Sequence, residues 1–141
     1  VAFPLSAALV SEQTGIKEWL MTLIQPIFAG RSIFIFSMFV IILGGILSNI
    51  VSNVVTPMII IPIMASYAAD MGIDPSILAT LLTIVMLDSL LMPSGSPMSA
   101  ILLGNKEWVT TKEVYIYAGF LLIMTITIVI AVGLPLGNLI Y

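Results

Sequence analysis

Long apolar stretches parted by short polar ones run the length of the chain. Ala2 to Val10 is apolar and stops at Ser11-Glu12-Gln13-Thr14-Gly15. Between Ile16 and Ala29, the residues Ile16, Leu20, Leu23, Ile24 and Ile27 recur at helical spacing, with Lys17, Glu18 and Gln25 between them. An apolar stripe with charges and Trp19 predicts a helix lying in a membrane interface, since spanning takes about 20 apolar residues.

Ser32 to Ala69 holds no charged residue. That length, about 38 residues, approaches two membrane crossings, but its middle reads Leu47-Ser48-Asn49-Ile50-Val51-Ser52-Asn53-Val54-Val55-Thr56-Pro57. Each arm has only about 15 apolar residues, whereas a hydrocarbon core about 30 Å thick takes about 20 at 1.5 Å each. The pattern predicts a re-entrant hairpin whose polar tip lies within the membrane, with Gly44-Gly45 and Pro57 where helical bonding weakens or stops. Irregular backbone persists at that depth only when buried in protein or lining a polar cavity.

Asp74-Pro75 has the form of a helix start, an N-cap acceptor followed by Pro at the first helical position. The helix should run to about Met92 and meet Pro93-Ser94-Gly95-Ser96-Pro97, which cannot continue it. Apolar sequence resumes from Met98 to Leu103, giving a second broken helix. Asn105 to Glu113 reads as a charged loop with Trp108, and Val114 to about Leu134 as a plain transmembrane helix begun by Tyr115 and Tyr117. The expected divisions are the end of a transmembrane helix plus an interfacial helix (1–30), the hairpin (31–72), the broken helix (73–104) and the terminal helix (110–141).

Composition agrees with an all-α, multi-pass membrane protein. Hydrophobic residues make up 60% and charged residues 8%, and mean hydropathy is +1.24, where soluble domains carry about 25% charged residues. A net charge of −3 without a basic patch excludes a nucleic-acid partner. The chain has no cysteine and no histidine, so thiol chemistry and the usual general base are absent. A serine hydrolase mechanism would lack its base and an aspartyl one its second acid, so no enzyme is expected. Lys17 and Arg31 on one side balance Lys106 and Lys112 on the other, leaving orientation undecided by charge. The start at Val1, with no Met or basic leader, reads as an excerpt of a longer protein.

Candidate chemistry sits in the interruptions. Ser48-Asn49 and Ser52-Asn53 offer neutral oxygens, and unwound backbone would add carbonyls, together an oxygen cage for a hard cation such as Na⁺. A helix starting near Val54 would turn its positive end toward an anion. The competing reading is interhelical hydrogen bonding, common for Ser and Asn in packed membrane helices. The Pro93–Pro97 break is a structural kink on its own, but two discontinuous elements close in sequence point to a transporter site. Asp88 is the one ionisable residue well inside an expected hydrophobic helix: a cation ligand, a proton carrier, or a partner to a base elsewhere. Phe34, Phe36 and Phe39 read as packing or lipid-facing residues.

These stretches resemble the C-terminal repeat of the divalent anion/sodium symporter family, within the ion transporter superfamily. The resemblance is carried by Leu47 to Pro57 and by Met92-Pro93-Ser94-Gly95-Ser96-Pro97-Met98-Ser99-Ala100-Ile101-Leu102-Leu103-Gly104, with Ser6 to Ile16 resembling the approach to an interfacial helix. It implies one half of an inverted-repeat transporter, the other half supplied by an N-terminal repeat. It also implies a homodimer in the cell (inner) membrane and elevator-type movement of a small di- or tricarboxylate with Na⁺. By resemblance, Ser52, Asn53, Val54 and Thr56 of the hairpin and Ser96-Pro97 of the break face the substrate. Ser48, the Val51 backbone, Asn53 and the Gly95 backbone match a sodium site, and the hairpin lies on the extracytoplasmic side. Val54 stands where the family has Thr, Ser99 where it commonly has Asn, Met98 where it has a second Pro, and Asp88 has no counterpart. Proton coupling, exchange of another anion and a non-transporting membrane subunit are the alternatives.

Overall fold

In the computed structural model, the described residues are 32–70, 72 and 74–140, with Gly15 and Thr22. Apart from Gly15 and Thr22, the expected helix end and interfacial helix of residues 1–30 lie outside them. All regular structure among the described residues is helical: α1 (Ile33–Ile50), α2 (Val55–Asp70), α3 (Pro75–Leu87), α4 (Pro97–Gly104), α5 (Thr111–Ile128), a π-helical turn (Val129–Gly133) and α6 (Leu134–Ile140).

α1 starts because the Ser32 hydroxyl accepts the Phe34 N–H at 3.2 Å, supplying one of the donors a helix start leaves open. Its apolar run then needs no further cap until Ile50. α1 and α2 form a hairpin: the turn is only residues 51–54, and Phe36 near one end meets Tyr67 near the other, ring centroids 4.9 Å apart. The arms hold 18 and 16 residues, about 27 and 24 Å at 1.5 Å per residue.

Both arms are therefore longer than expected, because the polar centre is mostly helical. Ser48 and Asn49 lie in the last turns of α1, where the Ser48 hydroxyl and the Asn49 Nδ2 both donate to the Gly45 carbonyl (3.0 and 2.9 Å). Both side chains fold back onto their own helix, and α1 continues through them to Ile50. Pro57 does not stop α2 either. It occupies the first turn, where a missing N–H costs nothing. Pro62, further in, forfeits an internal helical bond.

α3 begins as expected, with the Asp74 carboxylate accepting the Ser76 N–H at 2.7 Å ahead of Pro75. It ends at Leu87, not near Met92. The break thus opens five residues before the first proline, and Asp88 is the C-cap of α3 rather than an interior residue. Ser96 caps α4, accepting the Ser99 N–H at 3.1 Å, with Pro97 at the first helical position.

α5 starts at Thr111, earlier than the expected Val114, because Thr110 and Glu113 form a reciprocal capping box. The helix is not plain. The Leu134 N–H bonds to the Val129 carbonyl five residues back, immediately before Pro135. Pro135 has no N–H and crowds the preceding turn, and widening to π spacing accommodates the ring.

The core is a sandwich of α1, α2 and α3: Phe36, Val40 and Ile41 meet Ile63, Met64 and Tyr67, and both meet Leu78, Leu82, Val85 and Met86. Leu122, Val129 and Leu134 close it from the terminal helix. Ile33–Ile50 and Thr111–Gly137 are long and apolar enough to cross a membrane, with mean hydropathies of 2.4 and 2.5. The second leaves Tyr117, Phe120 and Ile123 about 70% exposed (71%, 67% and 68%), an apolar surface of the kind that lipid or protein covers.

Candidate functional site

The turn of the hairpin and the break between α3 and α4 are laced together. Asn49 carries the largest share: its Nδ2 donates to the Asp88 carbonyl at 3.0 Å, and its Oδ1 accepts the Leu91 N–H at 2.9 Å. In a continuous helix Leu91 N–H would reach the Leu87 carbonyl and the Asp88 carbonyl would receive residue 92. One amide side chain, two per cent exposed, replaces both groups' lost partners.

Two further bonds join the elements. The Asn53 N–H donates to the Gly95 carbonyl at 2.7 Å, and the Ser94 hydroxyl donates to the Ile50 carbonyl at 2.7 Å. Within the break, serines replace helical bonding. The Ser89 hydroxyl donates to the Gly95 carbonyl (3.2 Å), the Ser96 hydroxyl to the Ser89 carbonyl (2.8 Å), and the Ser99 hydroxyl to the Met92 carbonyl. Ser89 and Ser99 are fully buried.

Gly95 is the tightest point. A Cβ there would meet the carbonyl oxygens of Asn49, Ser89 and Met92 at 3.0, 3.1 and 3.2 Å. Backbone on three sides cannot step aside as a side chain would, so the close approach of hairpin and break requires glycine.

Beside this junction lies an open cleft of about 530 Å³ lined by Asn53, Asp88, Ser96, Pro97 and Thr125, with apolar walls. The Thr125 hydroxyl, from α5, donates to Asp88 Oδ2 at 2.9 Å. Asn53 Oδ1 is buried with no hydrogen-bond partner. A buried acceptor left open is costly, and native structures rarely keep one without a reason.

The expected site residues divide accordingly. Asn53, Asp88, Ser96 and Pro97 come together in the cleft. Ser52 caps α2, its hydroxyl oxygen accepting the Val54 and Val55 N–H groups (3.2 and 3.4 Å). Val54 and Val51 are exposed on the turn, while Thr56 is buried with its hydroxyl toward the Leu47 carbonyl at 3.5 Å. Ser48 is fully buried inside the hairpin. Thr125 gave no signal in sequence, a lone hydroxyl in an apolar run. Asn49 was visible as a polar residue, but its partners, 39 and 42 positions away, were not.

The donor chemistry suits a hard cation at Asn53, whose amide oxygen is a neutral acceptor left without a hydrogen-bond partner. Of the other positions matched to Na⁺, the Gly95 carbonyl already receives two hydrogen bonds and the Ser48 hydroxyl is turned to Gly45. Among the described residues no group of three or more Asp, Glu, His or Cys could hold a metal of the transition type. Searches against protein-family models, curated proteins and solved structures find no match to this chain.

Proposed function

We propose that the chain forms one half of a multi-pass secondary transporter in the cell membrane, moving a small organic di- or tricarboxylate coupled to Na⁺. The observation that supports it most is the lacing of two discontinuous helical elements beside an open cleft, with the Asn53 amide oxygen left without a hydrogen-bond partner. Broken helices at adjoining positions are what transporter binding sites are built from, and irregular backbone survives in lipid only when buried in protein or lining a cavity. In this reading the hairpin is re-entrant, and an inverted repeat supplies the facing half of the cavity. The protein acts as a homodimer whose transport domain moves as an elevator.

The polar groups lining the cleft are Asn53, Asp88, Ser96 and Thr125 among apolar walls, with no Lys or Arg among the described residues that line it. A carboxylate substrate beside such a lining needs positive charge. Bound Na⁺ would supply it, held in part by the Asn53 amide oxygen. The N-terminal turns of α2 and α4, capped by Ser52 and Ser96, add partial positive charge near the tips.

Proton coupling is the second reading, favoured by the carboxyl of Asp88 at the cleft. Uptake of radiolabelled di- and tricarboxylates into proteoliposomes of the intact protein separates the two, with Na⁺ and pH gradients imposed independently. Uptake driven by inward Na⁺ alone supports the proposal. Uptake driven by pH alone selects the second reading, and no uptake under either gradient defeats carboxylate symport.

A further inference from the structure

We infer that the cleft between the α3–α4 break and α5 binds a monovalent metal cation of the Na⁺ class, with the Asp88 carboxylate as its charged ligand. This cation position differs from the neutral-oxygen set of the hairpin, because it is built on a carboxylate and on a helix outside both discontinuous elements. Its coupling role rests on the transporter reading, whereas the binding itself does not.

Four observations carry it. First, Asp88 sits where α3 has ended, so its side chain springs from irregular backbone at the edge of the cleft rather than from a lipid-facing helix flank. Second, Asn49 holds the Asp88 carbonyl at 3.0 Å and Leu91 N–H at 2.9 Å, and the Asp88 N–H reaches the Val85 carbonyl at 3.2 Å, so the backbone is fixed on both sides of the carboxylate. A ligand on an anchored loop loses little entropy on binding. Third, Thr125 donates its proton to Oδ2, which aims the carboxylate and leaves the threonine oxygen's lone pairs for another partner. Fourth, no ion pair among the described residues neutralises Asp88, and the surrounding walls are Ile84, Leu87, Leu90 and Leu121. A carboxylate in an apolar-walled cleft calls for neutralisation, by a cation or by a proton.

The occupant follows from the donors. A carboxylate oxygen and the threonine hydroxyl bonded to it at the cleft are hard oxygen ligands with a single negative charge between them. Divalent ions of the Ca²⁺ type gather several carboxylates, and softer metals take imidazole or thiolate. One charge with a neutral hydroxyl oxygen matches a monovalent alkali ion.

The test is ²²Na⁺ binding to the intact protein purified in nanodiscs, at fixed pH and with ionic strength held by choline chloride. The wild type should bind saturably. Asp88→Asn, which keeps shape and hydrogen bonding, should weaken binding roughly tenfold or more, and Thr125→Val should weaken it less. Lys112→Ala, on the exposed loop side of α5, should bind as the wild type does. Size-exclusion profiles and thermal unfolding in choline, run on every variant, separate a lost site from a misfolded protein. If folded Asp88→Asn retains wild-type affinity, the site is wrong. If the wild type responds to pH but shows no saturable ²²Na⁺ binding, the group carries a proton instead and the inference is overturned. Saturable, Asp88-dependent binding by a protein that moves no carboxylate would sustain this site and sink the transport reading instead.

Discussion

The side chain of Asn49 donates to the main-chain carbonyl of Asp88 at 3.0 Å, joining the last turn of the hairpin's first arm to the residue at which α3 ends. With its other amide atom on the Leu91 N–H, Asn49 stands in for a missing turn of helix. The hairpin and the break are consequently one structural unit. Whatever moves, these two parts should move together.

Removing that amide leaves two backbone groups without partners. Asn49→Ala should destabilise the protein by about 1–3 kcal/mol, the usual cost of orphaning buried polar groups. Asn49→Asp should recover little, because a carboxylate cannot donate to the Asp88 carbonyl. Unfolding of purified variants by titrated denaturing detergent measures both. A change in Asn49→Ala below about 0.5 kcal/mol, the range of an ordinary surface substitution, would mean that water or neighbouring groups replace the clamp.

Gly95 is confined by oxygen atoms of the main chain, which makes even a methyl group expensive. Gly95→Ala should cost about 1–3 kcal/mol by overpacking and push Gly95 away from the Asn53 N–H, now 2.7 Å from its carbonyl. Cation binding and uptake should fall together with stability. Normal uptake in a normally stable Gly95→Ala protein would show that the junction opens easily.

The two glycines of α1 should differ although they are adjacent. A Cβ on Gly45 would lie 2.7 Å from Val85 Cγ1, and one on Gly44 would lie 2.6 Å from Met86 Cε and 2.9 Å from Leu82 Cδ2. Valine is stiff about χ1, whereas both atoms facing Gly44 are the far ends of longer side chains that can turn aside. Gly45→Ala should therefore be the more destabilising, by about 1 kcal/mol, within the range of overpacked cores. Equal thermal stabilities for the two variants would contradict this account of α1 against α3.

Ser52 offers a choice between a cap and a substrate ligand. Its oxygen accepts the Val54 and Val55 N–H groups, so Ser52→Ala should cost about 1 kcal/mol while Ser52→Asp, another good cap, should cost little. If the hydroxyl also meets an anionic substrate, Ser52→Asp will keep stability and lose uptake by repulsion. Loss of stability in the Asp variant would count against the capping role.

Much of this was readable in the sequence alone, for a local reason. Asp74-Pro75, Ser96-Pro97 and the uncharged run from Ser32 to Ala69 determine helix starts and apolar spans through neighbours a few residues apart. All-helical character, the hairpin, the existence of a second break and the candidacy of Asn53, Asp88 and Ser96 follow from such patterns. Tertiary structure decided where the helices stop. Ser48 and Asn49 looked like part of an unwound tip, yet α1 runs on through them, Ser48 bonded back to Gly45 and Asn49 to both Gly45 and the distant break. Met92 looked like the end of α3, yet the helix gives up at Leu87 because Asn49, 39 residues earlier in the chain than Asp88, offers the freed backbone an equally good partner. The same long-range choice set Thr125 against Asp88. Hydrogen bonds between residues so far apart leave no periodicity behind, and only the packing of α1, α3 and α5 could bring them within 3 Å.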